Sequence, residues 1–131
     1  MKAGNPLPGL VINVPALANK PPRDVERVLG RPEERSTEIV NSNGRHMYKR
    51  GSVEVVFIEG RARWIKLYNP RHMRFHKHSL SKLGLPSRKP TYVNRKHVMS
   101  WSNLCNLREV SLYADSKGGV SSVLVCVRPL D

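Results

Sequence analysis

Between Glu59 and Glu109 this chain carries no acidic residue, yet it holds twelve of its 23 Lys and Arg and four of its five His there. The window, residues 60–108, has a formal charge of +12 against +13 for the whole chain. Arg61, Arg63 and Lys66 come first, then Arg71, Arg74 and Lys77, then Arg88, Lys89, Arg95 and Lys96. Trp64, Tyr68, Phe75 and Tyr92 are interleaved with them. Guanidinium and ammonium groups neutralise phosphates, and aromatic rings stack on unpaired bases. Positive charge this concentrated calls for a polyanion: DNA, RNA, an anionic lipid surface or an acidic protein. No zinc-finger spacing, ribonucleoprotein aromatic motif or helix-turn-helix pattern accompanies it. Nucleic acid is therefore expected to be held by phosphate contacts and shape, with some stacking, and without base reading.

Other chemistry is thinly supplied. His72, His76 and His78 offer three imidazoles to a metal, but His78 leaves the helical face that His72 and His76 would share. No Cys, Asp or Glu lies nearby, and the surrounding cations oppose a dication. No metal and no cofactor is expected. The three His would instead add to the basic surface as pH falls. No Ser or Cys sits in a nucleophile elbow, and no Gly-rich phosphate loop opens a helix. Glu33 and Glu34 beside Arg31 and Arg35 read as a solvated charge cluster. Cys105 and Cys126 both lie in strand-like text and read as small buried hydrophobes in a reducing compartment.

The elements that would position these residues follow from period and punctuation. The chain has 131 residues, a 39% hydrophobic fraction, ten Pro and nine Gly, which suits one domain with frequent turns. Pro21 and Pro22 fit a first helical turn, and Val25, Val28 and Leu29 mark one helical face. Gly30 with Pro32 beyond stops that helix. Thr37–Val40, the Asn43-Gly44 turn and Arg45–Lys49 predict a hairpin. Val53–Ile58 is β-branched and aromatic, and Ala62–Tyr68 alternates with Ile65 and Leu67 on one face. On the other face stand Trp64, Lys66 and Tyr68. The same grammar returns: Leu29-Gly30-Arg31-Pro32 recurs as Leu83-Gly84-Leu85-Pro86, 54 positions on. Glu54-Val55-Val56-Phe57 then matches Glu109-Val110-Ser111-Leu112 at an offset of 55, and Val120–Val127 stands where Ala62–Tyr68 stood. Helix, strand, strand, strand is read twice, and two such units should share one sheet.

The stretch PPRDVERVLGRP, a Gly-containing turn and then GSVEVVFIEGRARWIKLY resembles the repeat of beta-lactamase-inhibitor-protein-like (BLIP-like) domains. Small outer-membrane lipoproteins of the SmpA/OmlA type are similar in the same helix-then-meander order. The resemblance covers residues 15–69 well and 76–128 loosely. It implies helices packed on one face of an antiparallel sheet, with the other face free for a partner. This chain lacks the lipobox and signal of the lipoproteins, and no inhibitory loop matches residue by residue. His76-Lys77-His78 with Tyr92 and Lys96 also resembles the His-x-His and Tyr-x3-Lys layout of relaxase-like nucleases. That chemistry needs both His on one strand face, with a hydrophobic residue where Lys77 stands.

The expectation is a single α+β domain over residues 1–131. It comprises two tandem α-β-β-β repeats, about 20–69 and about 76–128, after an N-terminal extension of residues 1–19. Val53, Val55, Phe57, Ile65 and Leu67 should pack with Val110, Leu112, Val123, Val125 and Val127, under Val25, Val28, Leu29, Leu80 and Leu83. The apolar run Leu10-Val11-Ile12 is too short and too interrupted for a signal peptide, and no segment approaches a membrane span. A cytoplasmic, non-catalytic binding protein is expected. Its partner is nucleic acid or, alternatively, an acidic protein docked on the open sheet face; a relaxase-like nuclease is the minor alternative.

Overall fold

The computed structural model describes residues 10–33, 43–94 and 96–130. Its centre is one seven-stranded antiparallel sheet. The strands are β1 (Gly44–Tyr48), β2 (Val53–Ile58), β3 (Arg61–Tyr68), β4 (Tyr92–Asn94), β5 (Val98–Leu104), β6 (Leu107–Ala114) and β7 (Val120–Val127). Their order across the sheet is β1-β2-β3-β7-β6-β5-β4. The expected strand over Thr37–Val40 lies outside the described residues.

Alternation along each strand sends one set of side chains to a single core. Val55, Ile65, Val125, Val110 and Trp101 are paired in register across five strands, and all are buried. The neighbouring row is Val53, Leu67, Val123, Leu112 and Met99. Helices cover this face. α1 (Val14–Leu17) contributes Val14 and Leu17, and α2 (Pro22–Leu29) contributes Val25 and Leu29, with Val28 half-buried beside them. A 3-10 helix, Lys77–Leu83, contributes Leu80 and Leu83. All ten strand residues expected in the core are there.

Two expectations change in detail. The second helical segment is 3-10, not α. Leu80 and Leu83 stand three apart, so a three-residue turn aims both at the core. The Ser79 hydroxyl donates to Arg74 O and the Ser81 hydroxyl to His78 O, side-chain bonds that compete with an α-helical ladder. The N-terminal segment is also no mere extension, because Ile12, Val14 and Leu17 are core residues. Both predicted stops hold: Gly30 and Gly84 take φ of +90° and +75°, where a side chain is strained. A Cβ on Gly84 would in addition meet Asn13 Oδ1 at 3.1 Å.

Candidate functional site

In this sheet the turns at alternate ends of the strands gather into two groups. At one end lie the β1–β2 turn, the start of the β3-to-3-10 connector, the β4–β5 turn and the β6–β7 turn. Hydrogen bonds tie them together. Tyr68 N donates to Ser52 O, Asn69 N to Ser121 O, Phe75 N to Gly118 O and Ala114 N to His97 O. Arg74 and Gly119 form an isolated antiparallel bridge. The cations carried there are Lys49 and Arg50, Arg71, Arg74 and Lys77, Lys96, and Lys117, all exposed. Among the described residues of these four segments the one acid is Asp115. Its Oδ1 already accepts from the backbone N–H of Lys117 at 2.7 Å and of Gly119 at 2.8 Å. None of the seven cations forms an ion pair among the described residues.

The backbone at this end is unusual for such residues. Lys49 and Arg50 occupy the left-handed region in succession, at φ +51° and +57°, and Asn69 and His72 do so at +49° and +61°. The β1–β2 loop has four residues between the paired Tyr48 and Val53, and Gly51 continues the left-handed run. A residue with a Cβ costs roughly 1–2 kcal/mol in that region. Glu59 and Cys105, at the other end of the sheet, take the same conformation.

Beside this rim His72, Arg74, His76, His78 and Lys82 line a cleft of about 550 Å³. His76 Nδ1 accepts the backbone N–H of His78, and the two rings meet edge to face at 4.8 Å. His76 precedes the 3-10 helix and His78 lies inside it, so the pair does not occupy one strand face as relaxase-type chemistry requires. Among the described residues no group of three His, Cys, Asp or Glu is arranged to hold a metal.

The sheet face opposite the helices is open. Trp64, Lys66 and Tyr68 stand on it, as the alternation of β3 predicts. Beside them, in register, are Glu54 and Leu124 around Lys66, Val56 and Cys126 around Trp64, and Ser122 beside Tyr68. Glu54 is buried, accepting a 2.6 Å hydrogen bond from the Tyr68 hydroxyl and a 3.2 Å ion pair from Arg45. The Glu54 hydrogen bond, with burial and the Glu54 charge behind it, pushes the Tyr68 hydroxyl above its usual range; Arg45 opposes the shift.

The remaining expected residues scatter. Arg61 and Arg63 point away from the rim, at the other end of the sheet. Arg61 donates to Asn19 O at 2.9 Å, beside a separate cleft of about 410 Å³ that also includes Cys105. Arg63 is the extra residue of a β-bulge; its side chain is only 12% exposed and faces Glu59 at 3.7 Å. These two are corrected out of the shared surface. Arg88 and Lys89 are exposed on the strap outside β5, where Arg88 O accepts from the Trp101 indole at 2.7 Å. Arg95 lies outside the described residues. Lys49, Arg50 and Lys117 were not anticipated, since they fall outside the acid-free window; their mark in the sequence is a cation directly before a turn Gly.

Cys105 is exposed and Cys126 buried, both as free thiols, and burial pushes the Cys126 thiol up. Among the described residues no helix is long and apolar enough to cross a membrane. No protein-family model, curated protein or solved structure matches this chain.

Proposed function

We propose that this protein binds nucleic acid without catalysis, through phosphate contacts made by the cationic rim. The observation that carries the reading is the convergence of Lys49, Arg50, Arg71, Arg74, Lys77, Lys96 and Lys117 from four segments onto one end of the sheet, none with an acidic partner among the described residues. A rim of unpaired cations concentrates phosphate and releases counterions on binding. The exposed Arg88 and Lys89 add to the same positive charge. In this reading the protein acts in the cytoplasm, where both thiols stay reduced. The halves derive from one helix-then-meander unit of the beta-lactamase-inhibitor-protein-like kind. The order α2-β1-β2-β3 recurs as 3-10-β4-β5-β6-β7, with the short β4 added, and the two runs join through β3 and β7, which supports that descent.

The test is fluorescence anisotropy with labelled DNA and RNA at low and near-physiological salt. The comparison is a variant with Arg71→Glu, Arg74→Glu and Lys77→Glu. If five of the seven rim cations engage a single strand, log K should fall against log salt with a slope of about −3.5, and the variant should lose most binding. A wild-type protein that binds only at low salt refutes the reading. The acidic-protein partner then takes its place, for which the half-buried Trp64, Leu124 and Val56 on the open face are the suitable centre.

A further inference from the structure

The open face next to the cationic rim carries exposed tyrosine rings. Its outermost row reads Tyr68, Ser122, Tyr113 and Val98 across β3, β7, β6 and β5. Tyr68 and Tyr113 are 39% and 37% exposed, a large fraction for tyrosine inside a sheet of this width. Between them stands Ser122, whose small side chain makes a low floor. Neighbouring strands lie about 4.8 Å apart, so the two tyrosine Cα atoms are separated by roughly 10 Å. That exceeds the roughly 7 Å that one base sandwiched between two rings needs, and Tyr68 is tied to Glu54 on the β2 side, so the two rings offer separate stacking positions. Neither ring is covered by another aromatic group among the described residues. In the next row Ser111 is buried and Ser100 half-buried, and the row ends at Tyr92 on the edge strand, 57% exposed. Three exposed rings therefore flank the rim that carries Arg71, Lys96 and Lys117.

The geometry points to single-stranded nucleic acid as the occupant of this face. Phosphates run along the rim, one base stacks on Tyr113 beside Ser122, and a second stacks on Tyr92. This inference rests on the phosphate-binding reading and adds the strand type to it. Charge complementarity selects a polyanion, and the bare rings select one whose base faces are free. A duplex hides those faces in its own stack and offers the sheet only its backbone. The Tyr68 hydroxyl, tied to Glu54 at 2.6 Å, holds its ring in place before any strand arrives.

The experiment compares four labelled probes at near-physiological salt: oligothymidylate, oligouridylate, an abasic strand of the same length and charge, and a duplex. The first two separate DNA from RNA as the source of the strand. Tyr113→Ala should weaken binding of the preferred strand about tenfold, with Tyr113→Phe close to wild type and Tyr113→Leu as weak as alanine. The abasic strand should bind wild type more weakly than the base-containing strand binds Tyr113→Ala, because it also loses the stack on Tyr92. Equal affinity for the abasic and base-containing strands, or no effect of Tyr113→Ala, overturns the stacking. If the Arg71, Arg74 and Lys77 variant still loses binding in that case, phosphate contact survives alone. Wild-type protein that binds none of the four probes overturns both.

Discussion

Tyr68→Phe isolates a single hydrogen bond at the boundary between stability and the binding face. The hydroxyl donates to Glu54 Oε1 at 2.6 Å, the short distance of a charge-assisted bond. Glu54 is only 5% exposed, so water cannot readily replace the lost donor. Its other oxygen keeps Arg45 at 3.2 Å, and that arginine side chain is 52% exposed. Hydrogen bonds to charged groups contribute about 1.5–3 kcal/mol net. Partial exposure of Tyr68 and Arg45 argues for the lower half, about 2 kcal/mol. With a urea slope of about 1.5 kcal/mol per molar, the unfolding midpoint should fall by roughly 1.3 M. The assay is urea unfolding followed by circular dichroism on wild type, Tyr68→Phe, Glu54→Gln and the double variant. Because both substitutions act on one contact, their effects should fall short of additivity by about 1 kcal/mol or more. A midpoint shift below roughly 0.3 M, or additive single effects, would refute the claim that this bond fixes the ring.

Two further outcomes test the frame around the site. Trp101 is 1% exposed and donates its indole N–H to Arg88 O, so Trp101→Phe should destabilise by about 2 kcal/mol. It should also speed amide exchange at Thr91, whose N–H pairs with Ser100 O on the same strap. His46 sits against Phe57 and the Tyr48 hydroxyl, and burial holds it below its ordinary value of 6.5, with the Glu26 charge opposing. Its neutral form is thus favoured by folding, so the contribution is complete above pH 6.5 and is lost as pH falls through the folded value. His46→Phe should flatten the fall of the urea midpoint below pH 6.5, and an unchanged pH profile would count against this assignment.

Most of the sheet was legible because alternation is local. VEVVFI and RARWIKLY each reveal their buried set without help, and those sets pair in register in the folded protein. The helix stops at Gly30 and Gly84 were equally plain, since a left-handed residue after the last apolar position has few occupants besides Gly. Arg63 was misplaced because a bulge of one residue leaves no trace in hydrophobic period. The 3-10 helix was read as α because Leu80 and Leu83, three apart, satisfy either form; only the serine-to-backbone bonds separate them.

The cationic rim was the least legible feature, for a reason built into antiparallel sheets. A charge window along the sequence groups residues that are neighbours in the chain. A sheet instead groups every second turn, whatever the distance between them in the chain. Lys49-Arg50 and Ser116-Lys117 lie far outside the acid-free window, yet each occupies a turn at the end where Tyr68 leaves β3. Arg61 and Arg63 lie inside the window but enter β3 from the other end, so they fall away from the rim. Strand count and turn parity, read before charge, would have sorted these cations correctly. The window did find Arg71, Arg74, Lys77 and Lys96, because the connector and the β4–β5 turn both fall at the rim end. Charge density along the chain thus marks a basic region, and strand parity decides which of its cations share one end of the sheet.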